Sequence, residues 1–93
     1  MQREIVYDTL ESYLEGLKGQ SITKISFSET SEKRAEQVEP GKLQVVHVDR
    51  VELISYKDSI IYKCALKDVD REELFNRLTA DGFDVTRRSR NIT

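Results

Sequence analysis

The stretch from Val69 to Val85 constrains the fold of this chain more than any other. Asp70 is a good helix N-cap, and Glu73 stands three residues later, the spacing of a capping box. Val69 before the cap and Leu74 at the fourth helical position can form a hydrophobic staple. Leu74, Phe75 and Leu78 make an inward stripe, and Glu72 and Glu73 favour the positive end of the helix dipole. Gly82 is placed to end the helix, which predicts a span of about Asp70–Asp81. Phe83 and Val85 then alternate with Asp84 and Thr86, as in a strand with one buried face.

Upstream, Val6, Leu10, Tyr13, Leu14 and Leu17 recur at helical spacing, predicting a first helix from Tyr7 or Asp8 to about Lys18. Asp8 with Glu11 is its expected cap, and Gly19 its expected stop. Ser21–Ser28 reads as a strand with Ile25 and Phe27 on one side; Ile22 has the wrong parity and belongs outside the pleat. Residues 29–42 are polar and end in the turn Pro40-Gly41, so the expectation is a loop, mobile or holding one helical turn.

Leu43–Tyr56 is β-prone, but Val46 and Val48 share one parity while Val51 and Leu53 share the other. Strict alternation along a strand then predicts a bulge or bend at Asp49-Arg50. Lys57-Asp58-Ser59 is a good turn, and Ile60–Leu66 is the return strand. If Asp58-Ser59 is the loop, paired residues sum to 117, which sets Leu53 against Cys64 and Val51 against Leu66. The expected fold is therefore α+β: a small two-layer sandwich in the order α-β-β-β-α-β, with a mainly antiparallel sheet and both helices on one face. A ferredoxin-like split βαβ is the alternative, and would need Arg3–Val6 as a first strand.

With 93 residues the chain is sized for one domain, 1–93. A domain this small buries only about 60–65% of its unfolded surface, so its large apolar residues are needed for the core. Charged residues make up 34%, but the signs are mixed and the net charge is −2, which gives no whole-molecule field typical of a polyanion binder. A single cysteine, Cys64, excludes an intramolecular disulfide and agrees with a reducing compartment. The first residues lack the apolar stretch of a signal peptide, and no apolar run approaches the ~20 residues of a membrane span. The expected address is cytoplasmic, without membrane partners.

Few motifs carry chemistry. His47 and Cys64 are the sole histidine and cysteine, but the hairpin register sets position 47 far beyond Cys64, and a thiol on an apolar face is usually packing. Asp68, Asp70, Glu72 and Glu73 cluster, yet the positions where an EF-hand needs Gly and Glu hold Glu73 and Thr79, and capping accounts for Asp70 and Glu73. The four glycines suit caps and turns rather than a phosphate loop. Tyr7, Tyr13, Tyr56 and Tyr62 suit the edge of a core. No catalytic residue, metal site or cofactor is expected.

Thr86-Arg87-Arg88-Ser89-Arg90-Asn91 is the sharpest functional feature. Three guanidinium groups against Asp84 make the last ten residues +2, and the remainder −4. Arg87, Arg88 and Arg90 are candidate contacts for phosphates or carboxylates, extended by Lys63 and Lys67 if the two strands are neighbours. The competing reading is a solvated terminus whose arginines answer the carboxylates of the second helix. The first expectation is a non-enzymatic binding or adaptor module for nucleic acid or an acidic protein. A homodimer or inhibitor using an exposed sheet edge comes second, and a small-ligand or metal-binding protein third.

Overall fold

Asp58 and Ser59 both take positive φ, 52° and 64°, the left-handed pair that a two-residue hairpin loop requires. They join β3 (Lys42–Lys57) to β4 (Ile60–Lys67). Leu53 pairs with Cys64 and Val51 with Leu66, the register that sums to 117. The structure, a computed structural model, describes residues 3–92, and the side chains of Glu32 and of residues 90–92 lie outside that description.

The remaining elements are β1 (Arg3–Tyr7), α1 (Leu10–Gly19), β2 (Lys24–Glu39), α2 (Arg71–Ala80) and β5 (Asp84–Ile92). The domain is α+β, with two helices and a mixed sheet in the order β1-β4-β3-β2-β5. β1 runs parallel to β4 and β5 parallel to β2, while β3 is antiparallel to both its neighbours. Each helix connects two parallel strands that have two others between them. This corrects both the expected order and the mainly antiparallel sheet. It is not the four-stranded split βαβ either, although the first strand that arrangement required is present.

Local chemistry explains the differences. Thr9, not Asp8, caps α1, its side chain accepting from the Ser12 amide. Val6, counted on the helical stripe, is an exposed strand residue. α2 follows its signals: Asp70 accepts from the Glu73 amide, Leu74 and Leu78 are buried, and Gly82 takes φ 93° beyond the last turn. Ile22 lies outside β2, and its amide bonds the Leu17 carbonyl.

Segment 29–42 is neither a loop nor a helical turn. β2 continues to Glu39, turns at Pro40-Gly41 and returns as β3. The pairing runs unbroken through Asp49, Arg50 and Val51, so the expected bulge is absent there, and the register shifts instead between Gln37 and Glu39. Among the described residues, β4 pairs with β3 only from Arg50 onward, and β5 follows β2 to Glu32. Beyond those points the hairpin continues as a two-stranded arm. The radius of gyration is 15.7 Å and the extents are 52 × 32 × 21 Å, against about 12 Å for a compact chain of this length.

One face of the sheet carries the core. Ile25 and Phe27 of β2, Val51, Leu53 and Ser55 of β3, and Tyr62 and Cys64 of β4 are buried there. All but Ser55 form one cluster with Tyr13, Leu14 and Leu17 of α1 and Leu74 and Leu78 of α2. Tyr13 donates to the Ser55 hydroxyl (2.7 Å), which donates to the Lys24 carbonyl (2.9 Å). Burial pushes the Tyr13 hydroxyl up to about 12, against the pull of the Ser55 bond.

Candidate anion-binding face

β5 distributes its arginines by strand alternation. Arg87 lies opposite Phe27 of β2, and Arg88 opposite Ser28. Successive side chains point to opposite faces, so these neighbours enter different environments.

Arg87 turns to the core face. Its Nε and Nη2 donate to the two carboxylate oxygens of Glu29 at 3.1 and 2.9 Å, a forked geometry. The same guanidinium donates to Glu72 of α2. It lies 5.7 Å from the Phe27 ring centre and 5.2 Å from that of Phe75, and the two rings meet edge to face. Glu29 is only 4% exposed. Ser89 also donates to it, and Arg71 stands 3.9 Å away while reaching Asp49 at 3.6 Å. Burial alone would raise the Glu29 carboxyl. The hydrogen bonds from Arg87 and Ser89, with the charges of Arg87 and Arg71, outweigh it and hold the group below its usual range. Glu72 is lowered chiefly by its bond to Arg87, whose own pKa is raised by both carboxylates. Four of the five donors of Arg87 are thus engaged within the chain, in part as the solvated-terminus reading expects: one of its partners is a carboxylate of the second helix.

Arg88 turns to the open face. Two clefts lie on that face, and no helical residue lines either. The larger, about 650 Å³, is lined in part by Ser28, Thr30, Arg50, Glu52, Lys67 and Arg88. The smaller, about 320 Å³, is lined by Lys24, Ser26, Ile54, Tyr56, Thr86 and Arg88 among others. Arg88 is common to both. Arg50 sits opposite Lys67 on one side and Thr30 on the other, and the backbone of Arg90 pairs with Thr30. Adjacent strands are about 4.8 Å apart, so this row crosses the sheet over about 14 Å. Among the described residues, Arg50, Lys67 and Arg88 make no ion pair. Lys63 lies on the same face, 3.6 Å from Glu4 and 3.8 Å from Glu52. Tyr56, one strand over from Ile61, is 64% exposed.

Of the residues singled out from sequence, Arg88 and Lys67 therefore meet at one cleft. Arg87 is half-buried and tied into its network, Lys63 is paired, and the side chain of Arg90 lies outside the described set. Arg50 was missed, although the register that pairs Leu53 with Cys64 also pairs Arg50 with Lys67. His47 is exposed on the arm while Cys64 is fully buried opposite Leu53, about 20 Å farther along β3. Burial, with some help from Asp8, pushes the Cys64 thiol up. Asp70 caps α2 and Glu72 holds Arg87; among the described residues no group of three ligating side chains could hold a metal ion. No helix among them is long and apolar enough to cross a membrane. Comparison with protein families, curated proteins and solved structures finds no match for the chain.

Proposed function

We propose that the chain is a non-enzymatic binding module that takes a single nucleic-acid strand across its open sheet face. Arg50, Lys67 and Arg88 contact phosphates, Ser28 and Thr30 add hydroxyl donors, and Tyr56 offers a ring for a base to stack on. The observation that supports this reading is the pair of adjoining clefts sharing Arg88, one basic and one bearing the exposed Tyr56. Cations that track a backbone beside an aromatic platform are the usual means of holding single strands. Internal pairing removes Arg87 and much of Lys63 from the set.

The test is fluorescence anisotropy with a labelled single-stranded oligonucleotide over a salt series. Each lost phosphate contact lowers the slope of log K against log salt by about 0.7 for single strands. The triple variant Arg50→Ala/Lys67→Ala/Arg88→Ala is expected to flatten the slope by about 2. Tyr56→Ala is expected to weaken binding by about 1–3 kcal/mol and leave the slope in place. No binding at low salt, or equal slopes for wild type and triple variant, overturns the proposal. Equal affinity for polyglutamate would move the face to an acidic protein.

A further inference from the structure

The two strands of the arm treat their outer edges differently. On β2, residues 32–39 include Glu32, Lys33, Arg34, Glu36 and Glu39. Charge along an edge is a common guard against strand addition. On β3, Leu43–Val48 reads Leu-Gln-Val-Val-His-Val, with no Lys, Arg, Asp, Glu, Pro or Gly. Leu43 is 74% exposed and Val45 63%. The other sheet edges are guarded too: β1 carries Arg3 and Glu4, and β5 carries Arg87, Arg88 and Arg90.

The open part of the β3 edge has defined ends. Pairing with β2 begins at Lys42. At the root, β4 takes over from Arg50, and the Asp68 amide already bonds the Asp49 carbonyl at 2.9 Å. The free edge is therefore 42–48, and its midpoint is Val45.

We infer that this edge pairs antiparallel with the same edge of a second copy, about a twofold axis at Val45. The axis sets Val45 against Val45, Leu43 against His47, Gln44 against Val46 and Lys42 against Val48. Each copy keeps its core-side residues on the same side as its mate's, which an odd sum of positions would not. A shift toward the root drives Lys42 against Arg50, whose edge β4 occupies. A shift toward the tip sets Pro40 and Gly41 against the strand. Only the Val45 register uses the whole free edge, and it brings no like charges face to face. It forms about one backbone hydrogen bond per residue pair and covers Leu43 and Val45 of both copies. The occupant is a second copy because the edge complements itself end to end. The inference is independent of the nucleic-acid reading, which uses another surface.

Sedimentation velocity of the full chain through the micromolar range tests it. Wild type is expected to run at twice the 10.8 kDa chain mass. Val45→Lys sets two ammonium groups opposite each other and is expected to run as a monomer with an unchanged circular dichroism spectrum. Val38→Lys, equally exposed at 61% but on β2, is expected to remain dimeric. Directly opposed antiparallel residues have Cα atoms about 4.5–5.5 Å apart, within disulfide range. Val45→Cys should thus oxidise to a covalent dimer, and Ala35→Cys on β2 should not. A wild-type chain that stays monomeric overturns the inference and leaves the edge to a strand from another protein. A dimer that survives Val45→Lys, or a Val45→Cys dimer that does not cross-link, overturns it as well.

Discussion

Arg87 and Arg88 are consecutive residues of one strand, yet they belong to different problems. Arg87 packs beside the Phe27–Phe75 pair, with its donors on Glu29 and Glu72. Arg88 is exposed at the junction of two clefts and, among the described residues, has no ion-pair partner. The lesson concerns supply of donors. A guanidinium already committed to two carboxylates must give up such bonds to take a phosphate, whereas a solvated one gives up only water. Counting arginines at the end of a chain misses this, because alternation sends them to opposite faces.

The comparison breaks soonest at Arg87. Truncating Arg87 leaves the buried Glu29 carboxylate with less compensation, which destabilises the fold. Arg71 lies 3.9 Å from Glu29 and can answer part of its charge, so Arg87→Ala is expected to lower the urea midpoint, but by less than removal of the sole partner of a buried charge would. Glu29→Leu combined with Arg87→Met should recover most of that, since apolar atoms then pack against the two rings. A midpoint no lower than that of Arg88→Ala would mean that Arg87 is as dispensable as a surface arginine.

The pH dependence sharpens the same contrast. Glu29 ionises in the folded chain below the usual carboxylate range, in spite of burial, because Arg87, Ser89 and Arg71 stabilise the anion. A depressed folded value means that the contribution is complete above the unfolded value. It is lost as pH falls through the folded one. Urea midpoints measured from about pH 5 down to pH 2 should fall more steeply for wild type than for Glu29→Gln. Parallel curves would remove Glu29 as the source.

Parts of this design are legible without coordinates because their causes are local. Asp70, Leu74, Leu78 and Gly82 specify α2 within one stretch of chain, and Asp58-Ser59 sets the register of β3 against β4. β1 entered only the alternative reading, because Val6 and Leu10 keep helical spacing with Tyr13 and its partner β4 lies more than fifty residues away. The arm was hidden for another reason. Alternation reports one buried face, and the outer half of the arm buries neither, so a charged β2 segment there looks like a loop. The false bulge has another cause: Val48 is buried on the face opposite to Val51 and Leu53, so an unbroken strand looks out of phase. The Glu29–Arg87 pair spans 58 residues and leaves no local trace, since a lone glutamate after Phe27-Ser28 reads as the end of a strand. Arg50 opposite Lys67 was within reach, needing only that the hairpin register be carried one row beyond Val51–Leu66.

The smallest expected effect is at Arg88, and it is the one that separates the two arginines most cleanly. The side chain is exposed, and neither cap nor core depends on it. Arg88→Ala should therefore change folding stability by no more than about 0.5 kcal/mol, the usual range for such surface positions. In the same preparation, its oligonucleotide affinity should fall and its salt slope flatten by about 0.7. Arg87→Lys supplies the converse. Lysine keeps the charge but loses the fork that engages both Glu29 oxygens, so stability should drop while the salt slope stays near that of wild type. If the two substitutions affect stability alike, or if Arg87→Lys flattens the slope as much as Arg88→Ala, strand alternation is not what divides structural from binding arginines in this chain.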